Sequence, residues 1–236
     1  MIEKDLNLIL EIYEKYSQSY ETLLNQAESV ENKAILWSEF RLELYPHECA
    51  LNAYKKPKIY KKYPVPGESF TINWLKNDEV FYYYNATIYE SETISNESGA
   101  SFILNETNNK ICLRFLGESN GETDKMVLYQ IYCVVYKDSL INKILFYERE
   151  YDDGVIDSER FETDKYSYND NETIHTIVRD GFNWERDNIL NTRTFRFDYV
   201  DGDILIYSKQ LKLNLEDTEE LMWTIKKPKE KRRKQI

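Results

Sequence analysis

The sequence feature that most constrains the fold is a periodic apolar stripe at the N-terminus. Its members are spaced alternately four and three residues apart, and no Gly or Pro occurs before Pro46. They are Ile2, Leu6, Ile9, Tyr13, Tyr16, Tyr20, Leu23, Ala27, Val30, Ala34 and Trp37. This spacing places all of the side chains on one face of a helix, so the pattern predicts one or two N-terminal helices that bury that face.

The length and the packing of these helices leave alternatives. The stripe allows either one continuous helix that reaches Leu44 or two helices with a break near residues 27–29, in which Ser29 is the N-cap of the second helix. The stripe also fits a coiled-coil dimer, but its flanking positions lack the complementary charges that pair helices. A wide stripe with three tyrosines suits docking on a sheet. We therefore expect the helices to pack within one chain.

From about Ser69 the chain consists of β-rich runs separated by turn dipeptides. Four of its seven glycines follow Asn or Asp, and such dipeptides favour type I′ hairpins. These dipeptides are Asn120-Gly121, Asp153-Gly154, Asp180-Gly181 and Asp201-Gly202. Strands are predicted at 79–90, 100–106, 110–116, 125–137, 142–151, 155–163, 172–178, 191–200, 203–215 and 221–225, with the apolar run 126–136 at the sheet centre.

Together these patterns predict an α+β fold. One or two N-terminal helices pack on a large, curved antiparallel meander of nine or ten strands, and sheets of this size can curl toward a barrel. Composition divides the chain into a helical segment (1–53), a Lys/Pro linker (54–67), a β domain (68–225) and a basic tail (226–236).

The charge is unevenly distributed along the chain. The tail holds seven basic residues and one acidic residue, and the formal net charge of all 236 residues is −11, so residues 1–225 carry −17. An acidic body of this kind repels nucleic acid and anionic membranes and attracts basic proteins.

The cysteines and the hydropathy bear on the cellular compartment. Cys49, Cys112 and Cys133 are odd in number and widely spaced among apolar residues, which is typical of buried, reduced thiols. No run approaches the roughly 20 apolar residues needed to cross a bilayer, and the N-terminus lacks the basic region of a signal peptide. We therefore expect a cytoplasmic protein.

One motif resembles a catalytic signature. The run 117–121 fits the G-x-S-x-G nucleophile elbow, but a β-rich run follows it where an elbow requires a helix, so a hairpin is predicted instead of a catalytic Ser119. The two histidines, His47 and His175, have no metal-binding spacing. No catalytic residue, metal site or cofactor is predicted.

The candidate binding residues come from two clusters. Twenty tyrosines exceed the needs of a core, and three of them are consecutive; acidic residues gather near one hairpin end. The candidates are Tyr82, Tyr83, Tyr84, Glu148, Glu150, Asp152 and Asp153. With the acidic body, they favour a non-enzymatic inhibitor or immunity-type protein that captures a basic protein partner. The alternative is a carrier that holds a small apolar ligand in an aromatic cavity of the curved sheet.

Overall fold

A computed structural model describes residues 2–65, 67–88, 94–119, 124–152, 155–183, 188–210 and 219–227. Within these ranges, three helices and twelve strands follow one another. They are α1 (Ile2–Tyr16), α2 (Tyr20–Glu28), β1 (Ala34–Ser38), α3 (Glu48–Leu51), β2 (Ser69–Lys76), β3 (Glu79–Ile88), β4 (Ile94–Glu106), β5 (Asn109–Ser119), β6 (Asp124–Lys137), β7 (Leu140–Asp152), β8 (Val155–Tyr168), β9 (Ile174–Asn183), β10 (Asn188–Val200), β11 (Asp203–Gln210) and β12 (Glu219–Ile225).

All twelve strands form one antiparallel sheet in the order of the sequence. Within the described ranges no pairing joins β1 to β12, so the strand pairing leaves the sheet open. An irregularity in register, such as a β-bulge, interrupts eight of the eleven strand pairs. Because bulges bend strands and increase their twist, they account for a curved meander. The ten predicted strands correspond to β3 to β12 where the structure describes them, and the apolar run 126–136 lies in the central strand β6. The predicted count of nine or ten strands is too low, because β1 and β2 bring the sheet to twelve.

The hairpin turns differ in part from the prediction. Asp201 and Gly202 both have positive φ, as a type I′ turn requires, so that turn is confirmed. The turn predicted at Asp180-Gly181 is wrong, because both residues lie inside β9 and Gly181 pairs with Glu162. The dipeptides 120–121 and 153–154 lie outside the described residues.

Two further tight turns adopt positive φ without a glycine. Asn77 and Asp78 connect β2 to β3, and Asp138 and Ser139 connect β6 to β7, each at positive φ. Asn and Asp tolerate this conformation because their short polar side chains can bond to the local backbone.

The N-terminal stripe is helical over only part of its length. The helices break at residues 17–19, and α2 ends at Glu28, so the break predicted near residues 27–29 is in fact the helix end. Ser29 is the C-cap of α2 and not the N-cap of another helix. Ala34 and Trp37, predicted to be helical, belong to β1, which pairs with β2. This pairing supplies backbone partners that the periodicity of the sequence does not reveal.

Residues 58–60 of the predicted linker segment (54–67) run beside this edge of the sheet. Ile59 forms an isolated antiparallel bridge with Ser38, and Tyr60 N donates a hydrogen bond to Trp37 O at 2.9 Å. The segment therefore supplies partners to backbone groups of β1 on the side away from β2.

The core occupies both faces of the sheet. On the helix-bearing face, Ile9, Ile12, Leu23 and Ala27 are buried in one cluster with sheet residues such as Phe115. A buried Asp5 in α1 forms an ion pair with Lys143 of β7. On the opposite face, Leu44, Tyr45, Ala50 and Leu51 are buried in a second cluster with residues of β3 to β11. Both faces of the central strands are therefore covered, which explains why β6 reads as an almost continuous apolar run.

Within the described part of the chain, the structure contains no helix that is both long and apolar enough to span a lipid bilayer.

Candidate functional site

The candidate site is a cleft on the face of the sheet opposite α1 and α2. Residues 39–55, here called the covering segment, lie over this face and leave two adjoining cavities of about 390 Å³ and about 580 Å³. Arg41, Asn52, Tyr54 and Arg114 line both cavities, so we treat them as one cleft. The first cavity is also lined by Tyr45, Gln130, Tyr132, Ile144, Phe146, Glu148, Arg160, Glu162, Asp164 and Arg179.

Strand register brings the polar side chains of the cleft into one row. Arg114 pairs with Gln130, Gln130 with Glu148, and Glu148 with Arg160, so the four residues cross β5, β6, β7 and β8 in a line. Cross-strand neighbours on one face are close enough for their side chains to interact. The cleft floor is therefore built by the register of four consecutive strands.

A hydrogen-bonded chain follows this row. Arg114 Nη1 donates to Gln130 Oε1, and Gln130 Nε2 donates to Glu148 Oε1. The guanidinium is only a donor and the carboxylate only an acceptor, so the Gln130 amide has its oxygen toward Arg114 and its nitrogen toward Glu148.

The second row is largely aromatic. Cys112 pairs with Tyr132, Tyr132 with Phe146, and Phe146 with Glu162. The rings of Tyr132 and Phe146 lie 4.9 Å apart between centroids. Burial raises the pKa of Tyr132 to about 12, so its phenol is neutral at pH 7.

Two of the cleft arginines form bidentate ion pairs with carboxylates; one pair lies within the covering segment, and the other contacts that segment from the sheet. Both Arg41 nitrogens Nη1 and Nη2 donate to the Glu48 carboxylate, which also accepts the Leu44 N–H at 2.7 Å. Arg179 donates from Nε and Nη2 to Asp164 at 2.7 and 2.8 Å. Its Nη1 reaches Asn52 Oδ1 of the covering segment at 3.1 Å.

The remaining two arginines differ from each other. Arg160 forms an ion pair with Glu162. Arg114 has no carboxylate within ion-pair distance among the described residues, and its Nε atom is buried without a hydrogen-bond acceptor. A guanidinium carries five N–H donors, and the single bond of Arg114 to Gln130 leaves most of them available. Its guanidinium also lies 5.3 Å from the centre of the Tyr129 ring.

Only two of the seven sequence-predicted binding residues lie in this cleft. Tyr83 is buried and lines the second cavity, with its hydroxyl 3.7 Å from Cys112 Sγ. Glu148 lines the first cavity and accepts the hydrogen bond of Gln130. Burial raises the pKa of Tyr83 well above its usual value, so this phenol also stays neutral.

Of the other five, the structure places Tyr82, Tyr84 and Glu150 outside the cleft. Tyr82 is buried on the helix-bearing face, where Tyr84 lies 5.6 Å from it between ring centroids. Glu150 accepts a 2.9 Å hydrogen bond from Ser158 Oγ and does not line the cleft. Asp152 ends β7 opposite Val155, and Asp153 lies outside the described residues. The predicted tyrosine triplet is thus divided between the two faces, as strand alternation requires.

The sequence analysis did not select the arginines of the cleft. Arg114 interrupts the apolar run 111–116, and Gln130 interrupts the run 126–136. Polar residues inside runs that are otherwise buried on both faces are the signal that could have identified them, because such groups need partners in the interior.

The G-x-S-x-G motif does not form a nucleophile elbow. Strand β5 continues through Gly117 to Ser119, and these residues pair with Met126 and Asp124 of β6. The described residues contain no group of three or more His, Cys, Asp or Glu side chains that could hold a metal ion. All three cysteines are free and buried, which confirms the prediction made from their spacing.

No protein-family model, curated protein or solved structure matches this chain.

Proposed function

We propose that this protein binds a small molecule in the cleft between the covering segment and the sheet. The observation that carries the proposal is Arg114, which lines both cavities and whose Nε atom is buried with no acceptor among the described residues. A buried donor without an acceptor costs free energy, and a ligand oxygen at that position would remove the cost. Arg114 is therefore a better ligand contact than an element of structural support.

The size and lining of the cleft support the same conclusion. Cavities of 300–1,000 Å³ with a few convergent polar groups are typical of small-molecule sites. Here aromatic walls from Tyr83, Tyr132 and Phe146 surround the polar row that begins at Arg114. This proposal keeps the carrier alternative of the sequence analysis and replaces its apolar cavity by a polar one with aromatic walls.

A blocking variant tests this function. Asn85 is exposed and lines the second cavity, so Asn85→Trp is expected to fill the cleft while the fold is retained. The control, His175→Trp, places the same side chain at an exposed position that does not line either cavity. The measurements are native mass spectrometry of gently purified protein and a thermal-shift screen of a metabolite collection.

We expect a bound or stabilising compound with the wild type and with His175→Trp, and a much weaker effect with Asn85→Trp. Failure to find any compound, or binding that is equal in all three proteins, would contradict a binding function of the cleft.

A second candidate function is the capture of a basic protein, with the protein acting as an inhibitor or immunity-type factor. Five glutamates are exposed on α1 and α2, in addition to the net charge of −17 on residues 1–225. They are Glu3, Glu11, Glu14, Glu21 and Glu28. A surface of this charge accelerates association with a basic partner, and salt slows it. Affinity purification at low and high salt tests this candidate, which is contradicted if no basic protein co-purifies in stoichiometric amounts at low salt.

The proposal includes a cytoplasmic location, which the three buried free thiols support because a reducing compartment maintains them.

A further inference from the structure

Each arginine of the cleft is paired with a carboxylate, with one exception among the described residues. Arg41 faces Glu48, Arg179 faces Asp164 and Arg160 faces Glu162. Arg114 bonds instead to the neutral Gln130 amide, which separates it from the nearest carboxylate along the row, Glu148. Among the arginines of the cleft, Arg114 is thus the one whose positive charge has no anion in direct contact within the described residues.

The group that fits this position is a carboxylate. A guanidinium presents parallel N–H donors that match the two oxygens of a planar carboxylate, and such bonds are among the strongest in proteins. Phosphate esters offer the same oxygens but carry more negative charge. Glu148 lies on the same row as Arg114 and forms no ion pair among the described residues, so it would repel a doubly charged phosphate ester more strongly than a single carboxylate.

The remainder of the ligand has an apolar environment nearby. The second cavity adjoins Arg114 and is lined in part by Phe40, Cys49, Ala53 and Tyr83. With the carboxylate on Arg114, a hydrocarbon chain or an aromatic ring can extend into this space and bury its surface there.

We infer that the ligand of the cleft is a small monocarboxylic acid with an aliphatic or aromatic body, whose carboxylate binds Arg114. This inference rests on the proposed binding function of the cleft. It adds the chemical class of the ligand and the residue that selects it.

Matched probes test the inference by isothermal titration calorimetry. The acids are octanoate and 3-phenylpropanoate, each compared with its neutral amide, octanamide or 3-phenylpropanamide, and phenyl phosphate is the multiply charged comparison. At least one acid is expected to bind wild-type protein tenfold or more tightly than its amide and more tightly than phenyl phosphate.

Two variants assign the effect to Arg114. Arg114→Gln is expected to weaken acid binding at least tenfold and to leave amide binding unchanged, whereas Arg114→Lys keeps part of the preference for the acid. Arg196→Gln is the matched control, because Arg196 lines neither cavity and has Asp198 and Glu219 as its partners. It is expected to retain the acid affinity within about threefold.

The inference is overturned if neither acid binds the wild type, if acid and amide bind equally, or if phenyl phosphate binds more tightly than the acids. It is equally overturned if folded Arg114→Gln, verified by near-UV circular dichroism, binds the acid as the wild type does. Should Arg114→Gln not fold, the acid-to-amide ratio of the wild type and of Arg114→Lys still decides the matter. The metabolite screen above is independent of these probes, so a wrong ligand class is distinguishable from a cleft that binds nothing.

Discussion

The ion pair between Arg41 and Glu48, both in the covering segment, is expected to hold that segment in its folded conformation. The Glu48 side chain is 4% exposed and that of Arg41 is 23% exposed, so neither charge is well solvated. Glu48 also accepts the Leu44 N–H at 2.7 Å, which ties the carboxylate to the backbone of the same segment. Removing either partner alone leaves the other as an uncompensated, largely buried charge.

Glu48→Gln keeps the side-chain volume and an acceptor for Leu44, but removes the charge. Breaking a buried pair from one side costs about 3–5 kcal/mol, and the partial exposure of Arg41 argues for the lower end, about 3 kcal/mol. For a chain of this size that loss lowers the melting temperature by about 6–12 °C. Arg41→Gln is expected to cost a similar amount for the same reason.

A double-mutant cycle, followed by urea unfolding, separates the pair energy from other effects. The double variant Arg41→Gln/Glu48→Gln buries no charge, so it is expected to cost about as much as either single variant and not their sum. Lys56→Gln is the control on the same segment, because Lys56 forms a pair with Glu43 but its side chain is 67% exposed. That change is expected to cost no more than about 1 kcal/mol. Additive single effects, or a cost below 1 kcal/mol for Glu48→Gln, would refute the reasoning.

Four further outcomes are expected. Burial lowers the pKa of His47 in the folded protein, so the unfolded chain takes up a proton at a higher pH than the folded protein does. The free energy of unfolding should therefore fall as pH drops below about 6.5, and urea titrations of His47→Asn should show a flatter pH dependence. Ile9→Ala removes a fully buried side chain between α1 and the sheet and should cost about 2–5 kcal/mol in the same assay. Gly202→Val should cost about 1–3 kcal/mol, because φ is +85° and a Cβ would lie 2.7 Å from a lysine side chain. Burial raises the pKa of Cys49 to about 11 and of Cys133 to about 12. Ellman's reagent at pH 7.5 should therefore modify no cysteine in the native protein and all three in guanidinium, and rapid labelling of the native protein would contradict this.

The strands β3 to β12 could be predicted from sequence because their determinants are local. Alternation of apolar and polar residues, as in Phe195, Arg196 and Phe197, sets which face each residue occupies. Short turn sequences then bring each strand back beside its predecessor, so a meander needs little information from distant parts of the chain.

Where distant pairing decides the structure, the local pattern was misleading. Ala34 and Trp37 continue the helical spacing of α2, yet pairing with β2 makes them a strand. Asp180-Gly181 has the composition of a turn, but pairing with β8 and β10 extends through it. In both cases backbone hydrogen bonds to strands elsewhere in the chain outweigh a local preference that amounts to about 1 kcal/mol per residue.

The candidate site depends on tertiary structure more than the strands do. From sequence, Tyr83 and Glu148 could be named as binding residues, but neither their shared cleft nor Arg114 could be derived. From the sequence pattern alone, the polar face of β5 to β8 cannot be distinguished from the solvent-exposed side of an antiparallel sheet. The sequence by itself determined the strands β3 to β12 and their sequential order, because alternation and turn residues are local. Only the fold placed residues 39–55 over one face of the sheet and buried the Arg114 Nε atom there without an acceptor among the described residues, because that arrangement depends on contacts between distant parts of the chain.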